Sequence, residues 1–195
     1  MYFYMSDVIK IKKGLTINLV GEAEKTITEI SPKICAIKPT DFIGVFPKLL
    51  VQEGDKVKAG SQLFFDKYRE KIHFTSPISG TVKELRRGGK RVLLELIIEA
   101  DGQDDAVDYG KGDPGKMTRD EIIAKLLDSG IWPMIRQRPY SIIAEPSSKP
   151  KAIFISTFDT APLAPDYDLI VHGYGDAFQT GIDALVKLTE GKVHL

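Results

Sequence analysis

Cysteine is almost missing from this chain: Cys35 is the only one in 195 residues. A lone thiol excludes a disulfide framework and an iron–sulfur cluster, whose ligation takes several thiolates, and it points to a reducing compartment. It reads as an inert, partly buried side chain. Long apolar runs are lacking too. No stretch approaches the roughly twenty residues that cross a bilayer, so any membrane role is expected to be peripheral. The leader Met1-Tyr2-Phe3-Tyr4-Met5 runs straight into charged sequence, with neither the apolar length nor the cleavage pattern of a signal peptide, and Met5 is a second candidate start. An excess of one charge is also absent. Lys and Arg total 27 and so do Asp and Glu, a formal net charge of +0, which argues against nucleic-acid binding.

What the chain does have is a dense run of strand and turn signals from Phe46 to Ala100. Apolar runs of strand length (LLV, QLFF, KIHF, VLLELII) are separated by Glu53-Gly54-Asp55, Ala59-Gly60, Ser76-Pro77 and Gly88-Gly89. Those turn chemistries reverse the backbone, so the stretch reads as stacked antiparallel hairpins. In the last run Val92, Leu94, Leu96 and Ile98 alternate with Glu95 and Glu99, which predicts one apolar face carrying all four. Upstream, Val8 to Val20 predicts a strand pair or an extended arm. Glu22 to Phe46, with Pro32 and Pro39, is expected to wrap the hairpins with short strands such as Lys33 to Ile37.

The order of the turns is informative in its own right. V-x-E-G-D-x-V-x-x-G-x-x-L over Val51 to Leu63, followed by S-P-x-x-G-x-V over Ser76 to Val82, resembles the barrel-sandwich of biotinyl and lipoyl domains. A carrier of that type presents a lysine on an exposed turn between its central strands. Asp66-Lys67 lies near that place, but the carrier spacing back from Ser76-Pro77 falls on Arg69, and a guanidinium is not acylated there. Lys67 and Lys71 are read as solvated loop charges.

Asp101 to Gly115 is rich in Asp and Gly without periodicity and reads as a linker, 101–117 in all. It is not a calcium loop of the EF-hand type, because Ala106 stands where glycine is required and Gly112 where a bidentate Glu is needed. Thr118-Arg119-Asp120-Glu121 is a capping box that starts a helix, with Ile122, Ile123, Leu126 and Leu127 on its buried face and Ser129-Gly130 at its end. The peptide Ile131 to Tyr140 follows. It holds the only Trp, two prolines and two arginines, residue types enriched where rings and planar donors recognise a partner. Trp132, Arg136, Arg138 and Tyr140 are therefore the candidate ligand or subunit contact. The competing reading has Trp132 plugging the gap between sandwich and helix while the arginines cap carbonyls.

The tail shows α/β patterning: an apolar run Ala152 to Ile155, a second run Leu169 to Val171, a helix from about Asp176 to Leu188 closed by Gly191, and a strand beginning at Lys192. An open sheet edge is expected after it, so the chain reads as a fragment of a larger protein. His172-Gly173-Tyr174-Gly175 occupies the place of a nucleotide-binding glycine turn, but the third glycine of that fingerprint falls on Phe178.

The combination of IKIKKGL (Ile9 to Leu15), FFDKYREKIHFTSPISGTVKELRRGGKRVLLELIIE (Phe64 to Glu99), SGIWPMIRQRPYS (Ser129 to Ser141) and STFDTAPLA (Ser156 to Ala164) resembles the N-terminal portion of the A subunit of the sodium-translocating NADH:quinone reductases. The resemblance implies an α+β chain: an N-terminal arm and barrel-sandwich hybrid over 1–100, the linker, and an incomplete α/β domain over 118–195. It implies a respiratory complex that uses NADH, flavins, quinone and sodium, with the other membrane-reductase subunits as partners and a peripheral place on the cytoplasmic face of the bacterial inner membrane. The family is distantly similar to subunits that bind NADH and a flavin through a glycine-rich loop. Here Trp132 to Tyr140 takes that loop's place without a glycine, whereas a flavin phosphate needs backbone amides approached without side chains. The expectation is a subunit with no redox cofactor, metal or catalytic residue of its own. The alternatives are a biotin or lipoyl carrier and an electron-transfer protein that binds flavin and NADH.

Overall fold

The computed structural model describes residues 14, 20–21, 24–159, 161 and 163–195. The strand pair expected over Val8 to Val20 thus falls almost wholly outside the described residues. Ile30–Ser148 forms one compact unit, and Lys149–Leu195 belongs to another.

In the first unit, β1 (Ile34–Ile37), β2 (Pro47–Leu49), β3 (Lys56–Val57), β4 (Gln62–Asp66), β5 (Arg69–Thr75), β6 (Gly80–Arg87) and β7 (Leu93–Ala100) form two antiparallel sheets. Their orders are β1-β7-β6-β3 and β2-β4-β5. This is the barrel-sandwich hybrid, its core supplied from both sheets by Leu63, Phe64, Ile72, Phe74, Val82, Leu96 and Ile98. Phe64 and Phe74 stack with ring centroids 4.6 Å apart, and Phe42 meets Phe74 edge-on at 4.7 Å. At Gly80 any Cβ would run into the Glu99 carbonyl, so glycine is what lets β6 cross β7 this closely.

The outer end of the β6–β7 hairpin corrects the sequence reading in two respects. Leu96 and Ile98 do face the core, but Val92 and Leu94 are 49% and 38% exposed, and Leu93 is buried in their stead. The cause is a bulge: Arg86 pairs with Glu95 and Arg87 with Leu93, so Leu94 is an extra residue and the inward face moves by one position. The reversal also lies beyond Gly88-Gly89. Lys90 and Arg91 take φ of 55° and 61°, and the Val92 amide donates to Gly89 O at 3.3 Å. That is a type I′ turn with Lys-Arg at its centre.

Asp101 to Gly115 is irregular, as its composition implies, yet pinned to the sandwich. Ala106 bridges to Ala59, and the Tyr109 hydroxyl donates to Gly60 O at 2.7 Å. Helix α1 (Arg119–Asp128) follows with its capping box formed: the Thr118 amide donates to a Glu121 carboxylate oxygen at 2.7 Å, and Thr118 Oγ1 accepts from the Glu121 amide at 3.4 Å. Gly130 (φ +72°) ends it, its amide bonding to Leu127 O while that of Ile131 reaches Leu126 O, a Schellman closure. Ile122, Ile123 and Leu127 are buried as expected. A small antiparallel hairpin of β8 (Arg136–Gln137) and β9 (Ile142–Ile143) completes the unit.

Thr118→Ala is expected to cost about 1 kcal/mol of stability in urea melts. The Thr118 amide, then its hydroxyl, holds the exposed Glu121 carboxyl below its ordinary value of 4.5. A carboxyl depressed on folding stabilises above that ordinary value, and the contribution is lost as pH falls through the folded one. Glu121→Gln should therefore remove a small acid-side loss that the parent chain shows below about pH 4.5.

In the second unit, β10 (Ala152–Phe154) and β11 (Lys192–His194) pair in parallel across an intervening helical segment. Leu169 to Val171 is not a strand. It lies in a short helix, α2 (Tyr167–Val171), because Asp166 caps it by accepting from the Leu169 amide at 3.2 Å. Helix α3 spans Gly175–Val186. Gly191 does not close that helix; its missing Cβ allows β11 to approach the Lys151 carbonyl.

Candidate functional site

The turn that would carry a prosthetic group in a carrier is built for another purpose. Asp66, at the end of β4, is fully buried. Its Oδ1 accepts from the amides of Phe46 and Tyr68, both at 3.3 Å, and its Oδ2 accepts from Arg69 Nε at 2.6 Å. Arg69 then extends Nη1 to the carbonyl of Ile143, 74 positions along the chain, at 3.2 Å. The Lys67 amide is occupied as well, donating to Phe46 O at 2.8 Å. One guanidinium thus fastens the sandwich turn to the segment after α1. Phe46 and Tyr68 pack edge-on outside it, with centroids 5.2 Å apart.

The other end of that link is the tryptophan peptide. Trp132–Met134 forms a 3₁₀ turn with Pro133 near its start, and the β8–β9 hairpin lies beyond it. Trp132 is only 4% exposed, and its Nε1 donates to Ala144 O at 2.8 Å. Of the four candidate contact residues, Trp132 is the one that the structure buries. It is held under the hairpin, where the 3₁₀ turn, β5 and α1 converge, and its one polar atom is already used. Arg136, Arg138 and Tyr140 lie on the outside of the same hairpin, with Tyr140 78% exposed. Arg136 Nη1 caps the hairpin's own Ser141 carbonyl at 3.1 Å, whereas the Arg138 side chain has no partner among the described residues. The structure therefore divides the four candidates into one buried support and three exposed groups.

Sequence reasoning missed a groove of about 670 Å³ beside this link, running between β5 and α1. Arg69, Lys71, His73 and Arg119 line it against Asp120, Asp128 and Glu145, over a floor that includes Ile123 and Leu127. His73 Nδ1 and Arg119 Nε are buried there without hydrogen-bond partners among the described residues. The i, i+2, i+4 spacing of Arg69, Lys71 and His73 was a visible signal of one basic strand face, but the acidic helix opposite it balances the charge.

His172 to Gly175 does not form a dinucleotide turn: it joins α2 to α3, helix to helix, so the strand-to-helix junction that brings amides onto a pyrophosphate is not built. Cys35 sits on β1 opposite Ile98. Among the described residues no group of three or more His, Cys, Asp or Glu side chains is placed to hold a metal ion.

Fold and site together define a class: a barrel-sandwich hybrid whose carrier turn is closed by a buried ion pair, in one chain with an α/β unit. Residues 9–101 match the family model of the NqrA N-terminal barrel-sandwich hybrid domain, and residues 117–195 that of the NqrA second alpha/beta domain. The chain belongs to the NqrA family. It is 40% identical over 192 residues to the A subunit of the Na(+)-translocating NADH-quinone reductase of Yersinia pestis, an alignment covering 96% of this chain and 43% of that protein. Its counterpart in Photorhabdus laumondii is 41% identical over 193 residues, again 96% and 43%. That of Marinomonas sp. is 38% identical over 189 residues, 95% and 42%. The chain thus spans well under half the length of these relatives.

Proposed function

We propose that this chain is the first part of a cytoplasmic-side, peripheral subunit of a sodium-pumping NADH:quinone oxidoreductase, serving as scaffold without a redox cofactor of its own. In this reading NADH, flavins, quinone and sodium are handled by the complex, and the other subunits are its partners. The observation that carries the scaffold role is the Asp66–Arg69–Ile143 link. The turn on which a carrier swings its cofactor is here immobilised by a buried carboxylate and spent on fixing a neighbouring hairpin. No helix among the described residues is long and apolar enough to cross a membrane, which agrees with a peripheral place.

The exposed side of that hairpin, Arg136, Arg138 and Tyr140, is the contact this reading assigns to quinone or to a membrane subunit, with Trp132 holding it from beneath. A quinone head group offers two carbonyl acceptors on a flat ring, which a guanidinium beside an aromatic ring suits. Arg136→Ala and Arg138→Ala together, in the assembled complex and after a check that folding is intact, should lower NADH-driven quinone reduction or retention of the chain in the complex several-fold. Wild-type rates and wild-type assembly would make the peptide structural only. Mass and flavin analysis of the chain test the scaffold role separately: covalent biotin or lipoate, or stoichiometric flavin, would replace it with one of the alternatives.

A further inference from the structure

The end of the β6–β7 hairpin is a second surface that the proposed function leaves unused. β1 pairs with β7 only from Leu96 to Glu99, and β3 with β6 only at Gly80 and Thr81. From Arg86 round to Leu94 no further strand pairs with the hairpin among the described residues, although Leu93 stays buried and Glu95 meets Lys38 Nζ at 3.7 Å at its base. This end carries Arg86, Arg87, Lys90 and Arg91, all exposed. Arg86 is paired with both Glu84 and Glu95. Arg87, Lys90 and Arg91 have no carboxylate partner among the described residues; only a bond from Arg87 Nη1 to Arg91 O, at 3.1 Å, holds one of them. Val92 and Leu94, exposed by the bulge, stand beside these cations.

The turn chemistry makes this arrangement harder to dismiss as ordinary surface charge. A type I′ turn requires positive φ at both central positions, which Asn and Gly fill at least cost. Two glycines are available immediately before it, at Gly88 and Gly89, yet the left-handed positions are held by Lys90 and Arg91. Side chains that cost the backbone strain and have no carboxylate partner among the described residues point to a role in contact with something outside the chain.

We infer that this hairpin tip is a docking element for an anionic phospholipid surface. An exposed tip with three cations unpaired among the described residues and two partly exposed apolar side chains fits a diffuse layer of phosphates, which asks for charge and slight insertion but no fixed geometry. An acidic protein segment would instead call for a groove, or for guanidinium forks oriented by neighbouring groups, and Lys90 and Arg91 have neither. The inference deepens the peripheral-membrane part of the proposed function by naming the face that meets the bilayer. It does not depend on which complex the chain joins.

The test is flotation of the chain with vesicles of phosphatidylethanolamine containing phosphatidylglycerol, and with neutral phosphatidylcholine vesicles, at low and at about 0.5 M salt, where screening shortens the reach of charge. Each juxtamembrane cation contributes about fivefold in partitioning. Lys90→Gly with Arg91→Gly should thus weaken binding to anionic vesicles about 25-fold. Because φ at both positions favours glycine, the doubly substituted hairpin should keep its fold, as a circular dichroism melt at or above the parent midpoint would confirm. Binding that needs phosphatidylglycerol, fades with salt and falls in the double variant supports the assignment. No binding to anionic vesicles overturns it, as does equal binding by parent and variant, which would move the contact to another basic segment such as Lys10 to Lys13. Failure of the arginine substitutions in the assembled pump would leave this result untouched, because the vesicle assay contains only the chain and lipid.

Discussion

Asp66→Ala should destabilise the Ile30–Ser148 unit by about 3–5 kcal/mol, a large share of the roughly 5–15 kcal/mol available to a domain. The carboxylate is fully buried and accepts from three donors: the Phe46 and Tyr68 amides and Arg69 Nε. Its removal leaves two amides without acceptors and a largely buried guanidinium without its counter-ion. The loss of a buried partner costs far more than the net worth of the pair, because the surviving charge keeps its desolvation penalty. Asp66→Asn should fare little better, since the amide's NH₂ would face the guanidinium. Combining Asp66→Asn with Arg69→Met, which removes both charges at similar volume, should recover part of the loss. Urea midpoints of the four proteins measure this, and an Asp66→Ala change under about 1 kcal/mol would show that the pair is unimportant. Hydrogen exchange adds a local reading. In the variant that combines Asp66→Asn with Arg69→Met, Ile143 O loses its donor, so the Ala144 amide, bonded to Ile135 O at 2.9 Å, should exchange faster even to the extent that global stability is recovered.

Trp132→Ala should cost a comparable 3–5 kcal/mol, roughly the range for truncating a large buried aromatic. The effect has two parts that a second substitution separates. Trp132→Phe keeps most of the apolar contact but leaves Ala144 O without its indole donor, and it should cost about 1–2 kcal/mol. A Trp132→Phe loss as large as that of alanine would mean that the ring's shape dominates over area and hydrogen bond. Quinone reduction in the complex should follow stability in both variants. If Trp132→Phe folded normally yet abolished activity, the indole would be a contact after all, and its placement under the hairpin would not describe the working state.

These two sites show where the sequence was legible. Local signals, acting over a few residues, came through: the capping box at Thr118 and Glu121, the Schellman stop at Gly130, the strands of Phe46 to Ala100 and the barrel-sandwich order of their turns. The cap and the stop depend on hydrogen bonds or steric limits within about five positions, and the strands show as short apolar runs between turn residues, so residue types mark all of them. The exclusion of acylation at Arg69 was equally local, since a guanidinium stays a guanidinium in any fold.

What only the tertiary structure decided lies at long range or hangs on a single extra residue. The bulge at Leu94 exposes Val92 and Leu94 and carries the turn out to Lys90-Arg91, and nothing in an alternating apolar run marks which residue will be left unpaired. Leu169 to Val171 reads equally well as strand or helix at three residues, and the Asp166 cap settled it. The division of the tryptophan peptide into a buried support and an exposed trio rests on contacts with β5 and α1, far off in the chain. Above all, the sequence placed Asp66 and Arg69 only near a carrier-type turn, with no sign of what either would bind. Burial of the carboxylate and the reach of Arg69 to Ile143 turn them into the fastening between sandwich and hairpin, because electrostatic strength is set by the surroundings that folding creates rather than by residue type.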